Sequence, residues 1–305
     1  MFADIALIAG GLALLVMGGE LLVRGAVALA LRLGIAPLIV GLTVVAFGTS
    51  APEMIVSVSA ALQGTTDIAL GNVVGSNIAN VLVILAVAAL IAPIDPRGHD
   101  LRESWWMMVG ASVLLILLSL GGTLGRLQGL VLLGVFALVL WRQIATAQGG
   151  EDAGGDDQVP WGRIVVWLAV GLVLLPVGAQ LLVKGAVDIA RDLGVSEIMI
   201  GLTLVAIGTS LPELAASAMA AWRGRSDLAL GNVIGSNIFN ILCILGVTTM
   251  IAPLPVPAQM LRLDLWVMLA AAVILWPFLF RGIRIGRAAG GALLVAYGAY
   301  VGALL

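Results

Sequence analysis

Two short clusters in this chain hold groups that bind hard cations. Thr49, Ser50 and Glu53 stand in the run Gly-Thr-Ser-Ala-Pro-Glu over 48–53, and Thr209, Ser210 and Glu213 in Gly-Thr-Ser-Leu-Pro-Glu over 208–213. On a helix the two hydroxyls lie at i−4 and i−3 from the acid and share its face. The Gly-Pro interruption exposes carbonyls that a regular helix would consume. Carboxylate, hydroxyl and free carbonyl are hard oxygen donors, suited to Ca2+ or Na+ and not to a soft metal. Downstream, Gly71 and Gly75 form a G-x-x-x-G spacing followed by Ser76, Asn77 and Asn80, and Gly231, Gly235, Ser236, Asn237 and Asn240 repeat it. The glycines let another backbone come close, and the amides, if buried in lipid, demand partners.

The elements that must position these groups follow from the repetition. Residues 41–80 recur as 201–240, offset by 160 and without a gap. The chain is 61% hydrophobic and 10% charged, with a mean hydropathy of +1.16, the composition of an integral membrane protein. A span takes about 20 mostly apolar residues, and ten such stretches are predicted, near 3–32, 36–62, 67–92, 102–120, 124–146, 160–191, 195–222, 227–252, 262–281 and 286–304. The opening residues carry an acid and no basic run, which argues for a retained first helix and against a cleaved signal peptide. The expected fold class is therefore all-α integral membrane, with a first five-helix half over 1–146, an acidic glycine-rich linker over 147–159 and a second half over 160–305. Helices two, three, seven and eight are expected to form the ion-binding core. Five helices per half is an odd number, so the second half enters the membrane inverted, as in many secondary transporters. Ten arginines fall in the loops of one side (32, 97, 102, 142, 163, 223, 225, 281, 284, 287) against three on the other (126, 191, 262). By the positive-inside rule both termini lie outside.

Intramembrane acids are expensive and mark function by default, so Glu53 and Glu213 are expected to share one cation site. Glu20 and Arg24, at i,i+4, read as a structural ion pair. Trp105, Trp106, Trp141, Trp161 and Trp222 lie near predicted helix ends and read as an interfacial belt. His99, in a loop beside Arg97 and Asp100, reads as solvated, and the single cysteine, Cys243, as a small core residue. An intramembrane enzyme would need a nucleophile–base pair or a metal set, and one histidine in a loop with one cysteine supplies neither. The formal net charge of −2 implies no nucleic acid and no obligate protein partner; the lipid bilayer is the expected surround.

The two runs over 48–53 and 71–80, repeated over 208–213 and 231–240, resemble the α-repeats of the sodium/calcium exchanger family, prokaryotic type, within the cation/calcium antiporter superfamily. The resemblance covers essentially the whole chain. It implies ten helices in the cytoplasmic membrane, alternating access with helices one and six as the moving gate, and exchange of Na+ for Ca2+ with no cofactor. By position, it implies that Glu53 and Glu213 bind Ca2+ with the carbonyls of Thr49 and Thr209. It further implies that Ser50, Ser76, Ser210 and Ser236 line flanking Na+ sites with the carbonyls of Ala46 and Ala206, and that Asn80 and Asn240 complete the centre. Some members carry aspartate where Asn240 stands. Two formal negative charges remain here, balancing one Ca2+ or two Na+; a third Na+ would lack a formal counter-charge. The residues leave open a Ca2+/H+ exchanger of the same superfamily, in which protons replace Na+ on the carboxylates, and a K+-dependent Na+/Ca2+ exchanger. A channel would not need two broken helices facing one site.

Overall fold

The computed structural model describes residues 2–98, 100–146, 159–193 and 208–304. The linker over 147–158, His99 and the start of the predicted seventh span lie outside the described residues. In chain order the helices are α1 (Phe2–Leu33), α2 (Pro37–Thr49), α3 (Ala51–Leu62), α4 (Thr66–Ile91), α5 (Arg102–Ser119), α6 (Arg126–Thr146), α7 (Trp161–Asp192), α8 (Leu211–Trp222), α9 (Ser226–Ile251), α10 (Met260–Arg281) and α11 (Arg287–Leu304). Among the described residues seven are long and apolar enough to cross a membrane, and an eighth span arises if α2 and α3, bent by 44°, count as one. The helix α5, which opens on Arg102 and Glu103, is not in that set. Large apolar side chains such as Leu12, Val16, Leu117, Leu130, Val173 and Val295 face outward, as a lipid-facing surface requires.

The repeat in the sequence reappears in the backbone. Ser50 and Ser210 occupy the same turn conformation, φ −82° ψ 6° and φ −91° ψ 6°, ahead of α3 and α8. Pro52 and Pro212 follow, and each withdraws one amide from the helical ladder. Both α4 and α9 widen into a π-turn that starts on an asparagine, at Asn80–Ile84 and Asn240–Ile244. Such widened turns recur at functional sites.

The helices α1 and α7 run antiparallel and touch backbone to backbone. A Cβ on Gly11 would sit 2.6 Å from the carbonyl oxygen of Gly178, and one on Gly171 2.9 Å from that of Gly18. Glycines 11, 18 and 25 of α1 and 171, 178 and 185 of α7 each form a stripe of spacing seven, so the two faces mesh along the pair. The interior is centred on α9, wholly enclosed, and on the largely enclosed α4. Gly231 and Gly235 bring α9 against α2, with the Cβ positions 2.9 Å from Leu38 O and 2.5 Å from Leu42 O. The partners of Gly71 and Gly75 by the same offset, 198 and 202, lie outside the described residues.

Loops at one end are tied together. Ile94 and Ile285 exchange backbone hydrogen bonds, and Asp95 accepts from Arg97 and Arg284 while its N–H donates to Ser226 Oγ. The Arg97 guanidinium holds the Asp95 carboxyl well below the usual carboxylate range. At the other end β1 (Thr123–Leu124) pairs antiparallel with β2 (Leu254–Pro255). The predicted aromatic belt needs one correction. Trp106, Trp141, Trp161 and Trp222 are exposed, but Trp105 is buried and its indole N–H donates to Ala272 O at 2.8 Å. A three-alanine run over 270–272 in α10 leaves room for the ring to turn inward.

The glycine mesh predicts that Gly11→Leu separates α1 from α7 and destabilises the protein by about 1–3 kcal/mol. Gly10→Ala, which meets no atom within 4 Å, leaves stability unchanged or slightly raised. Thermal unfolding in detergent compares the two.

Candidate functional site

Glu53 opens α3 and Glu213 opens α8, each in the first turn after a proline break. Both are 1% exposed. The bend places the two first turns opposite each other at the centre, and the carboxylates are near enough to interact electrostatically. Ser50 Oγ donates to Glu213 Oε1 at 2.9 Å, and Ser210 Oγ donates to Glu53 Oε1 at 3.1 Å. Each serine therefore serves the acid of the other half. Helical spacing sets Thr49 and Ser50 on the face of Glu53; the break at Ser50 turns its hydroxyl across the interface instead. Ser210 Oγ also lies 3.5 Å from Ser76 Oγ, which brings α4 into the same chain of contacts.

Asn80, Ser236 and Asn240 arrive from α4 and α9. Asn80 Nδ2 donates to Asn237 Oδ1 at 2.9 Å, and Asn237 Nδ2 reaches Asn77 O at 3.4 Å. Ser236 and Asn240 are fully buried. Thr49 is buried beside Glu213, and its hydroxyl donates to Asn232 Oδ1 at 3.2 Å. The carbonyl of Ala46 accepts from the Ser50 N–H at 3.0 Å and from the Thr49 hydroxyl at 3.4 Å. Thr209 lines a cavity of about 520 Å3 that reaches the α8 break. Ala206 lies outside the described residues.

The centre is rich in oxygens without a donor. Glu53 Oε2, Glu213 Oε2, Asn77 Oδ1, Asn80 Oδ1 and Ser236 Oγ are buried with no hydrogen-bond partner, as are both polar atoms of Asn240. Buried polar atoms are normally satisfied, so this concentration of unpartnered atoms sets the centre apart from the rest of the interior. Among the described residues no group of three or more His, Cys, Asp and Glu forms. A cation held here would draw on two carboxylates and otherwise on neutral oxygens.

Two residues outside the expected set support the acids. Asn72 Nδ2 donates to Glu53 O at 3.2 Å and Ser57 Oγ at 3.0 Å; Asn232 Nδ2 donates to Glu213 O at 3.3 Å and Ser217 Oγ at 2.9 Å. Each amide fastens the helix that carries an acid to the α4 or α9 helix beside it. A signal for them was present: Asn72, Ser76 and Asn80 recur every four residues on one face of a helix, as do Asn232, Ser236 and Asn240.

The chain matches the family model described as sodium/calcium exchanger protein over residues 4–145 and 163–305. It is 42% identical to CaxA of Alkalimonas amylolytica, over 91% of this chain and 89% of that one. It is 33% identical to the sodium/calcium exchanger MaX1 of Methanosarcina acetivorans, over 95% of each. Its fold superposes on a solved structure of the sodium-calcium exchanger NCX_Mj, soaked with 10 mM Na+ and no Ca2+, with a TM-score of 0.88 and 31% identity, covering 100% of this chain and 99% of that one.

The supporting amides are not equivalent. Asn232→Ala loses the Thr49 contact across the interface as well as the two contacts within its own half, whereas Asn72→Ala loses two. Asn232→Ala is expected to lower stability by about 1 kcal/mol more than Asn72→Ala, read as the difference in thermal unfolding free energy in detergent.

Proposed function

Because the chain belongs to the sodium/calcium exchanger family, we propose that it is a secondary antiporter exchanging Na+ for Ca2+ at one site between its two halves. The observation that carries this reading is the pair of buried carboxylates, each bonded to the opposite half's serine and each left with an unpartnered oxygen. In this reading Glu53 and Glu213 bind Ca2+ with the carbonyls of Thr49 and Thr209. Ser50, Ser76, Ser210 and Ser236, with the carbonyls of Ala46 and Ala206, line the Na+ positions, and Asn80 and Asn240 complete the centre.

The donor set is consistent with that assignment. Every group is a hard oxygen ligand, the class that Ca2+ takes in numbers of about 6–8. Pro52 and Pro212 lack the N–H that would bond the carbonyls of Gly48 and Gly208, so the breaks add backbone oxygen where the acids converge. Coupling follows from charge. Two carboxylates in a low-dielectric centre repel each other and lack solvent. A cation load removes both penalties, so the loaded protein crosses the closed intermediate more readily than the empty one. Na+ and Ca2+ compete for overlapping oxygens, and the cycle becomes exchange rather than leak.

The architecture in this proposal is ten spans in two inverted five-helix halves, 1–146 and 160–305, in the cytoplasmic membrane with both termini outside. The antiparallel packing of α1 on α7 supports it: equivalent helices of the two halves run in opposite directions. Alternating access then moves this pair over the fixed site.

Purified protein in Na+-loaded vesicles is expected to take up Ca2+ when the outside is Na+-free. Glu53→Gln and Glu213→Gln are each expected to lower that uptake at least a hundredfold, since removing one charge loses a charge-assisted ligand. Ca2+ uptake surviving either substitution overturns the site. Uptake driven by a pH gradient without Na+ would instead assign the protein to proton exchange.

A further inference from the structure

One contact breaks the match between the two halves. Glu20, on α1, accepts hydrogen bonds from Arg24 one turn on and from Arg223 at the end of α8. Arg223 is bidentate, with Nε 2.8 Å from Glu20 Oε2 and Nη2 on Oε1. Beside this contact Gly19 lets α1 close onto α8: a Cβ there would sit 3.0 Å from Ala215 O. Shifted by 160 residues, the same positions read Gln180, Lys184 and Gln63, with Ala179 for Gly19 and Ile55 for Ala215. Gln180 carries no charge and Gln63 offers no guanidinium, so the second half cannot form the ion pair. There α7 stands away from α3. The cavity of about 520 Å3 opens between them, lined by Pro52, Ile55, Gln180, Lys184, Thr209 and Pro212. Among the described residues, the α1–α7 pair is thus tied to α8 by this ion pair, while no equivalent ion pair joins α7 to α3, where the cavity reaches Pro52 and Pro212.

We propose that Glu20, with Arg24 and Arg223, positions the α1–α7 pair against α8 and thereby sets from which face of the membrane the ion site is reached. The inference rests on reading the site as that of an exchanger. An exposed single ion pair contributes little, but one carboxylate shared by two guanidiniums, one of them bidentate, is at the strong end of the range. Opening the Arg223 face requires this contact to break, whereas opening the Lys184 face does not. The repeated segments make the halves alike, and the acid at 20 makes the two access states unequal.

The test uses the full chain in vesicles, as Glu20→Gln, Arg223→Gln and the charge swap Glu20→Arg with Arg223→Glu. Backbone hydrogen–deuterium exchange is followed over 19–31 and 216–226, and over the equivalents 179–191 and 56–66. The apparent Ca2+ affinity is measured from each face. The single variants are expected to raise exchange about three- to tenfold in the first two segments and not in the second two, and to shift the ratio of the two affinities by a similar factor. The swap is expected to restore both. Unchanged exchange and ratio in the single variants would overturn the proposal. So would an equal loss on both faces that the swap does not repair, since Glu20 would then only hold the fold. If wild-type vesicles show no Na+/Ca2+ exchange, the functional reading fails, while the hydrogen exchange still reports on the clamp.

Discussion

The central constraint on this molecule is the burial of two carboxylates side by side in an apolar interior. A single intramembrane acid is costly, and a second one nearby adds repulsion to desolvation. The surrounding structure answers that cost. Each acid takes a hydroxyl from the other half, and each stands on a helix fastened through its carbonyl by an asparagine of the neighbouring helix. Among the described residues neither acid is paired with a lysine or arginine. Hydroxyls and amides bond to the acids without cancelling their charge, as a lysine or arginine would.

Backbone irregularity makes this arrangement possible. Regular helices consume their carbonyls internally and present side chains alone. Here the Ser50 and Ser210 turns and the prolines two residues on fall within the two repeated segments, and the π-turns start on their last residues, Asn80 and Asn240. Each departure sits where polar atoms converge. The remaining spans, α1, α6, α7 and α11, are continuous helices with large outward-facing apolar faces. They carry the protein in lipid and, for α1 and α7, mesh by glycine rather than by side-chain interlock. A contact of small residues in lipid lacks a hydrophobic drive and depends on shape.

Much of this could be read from residue types and spacing. The 160-residue repeat, the acids at 53 and 213, the breaks ahead of them and the glycine-amide runs are local patterns, and local patterns determine helix limits, interruptions and which groups must be buried. The membrane class follows from composition, because 61% hydrophobic residues exceed what a soluble interior needs. The inward turn of Trp105 was not legible, since it depends on the alanines of α10, more than 160 residues away.

What the sequence by itself determined is the inventory: two acids, their hydroxyls and amides, and the helices that carry them. Only the tertiary structure decided the pairing. Helical spacing linked Ser50 to Glu53, yet the folded chain links Ser50 to Glu213 and Ser210 to Glu53, because a bend at a proline break redirects a side chain by an amount that periodicity does not encode. The supporting roles of Asn72 and Asn232, and the clamp of Glu20 to Arg223 across about 200 residues, likewise depend on how one half docks on the other. Spacing along a chain reports neighbours on one element; contacts between elements are set by the packing of whole surfaces.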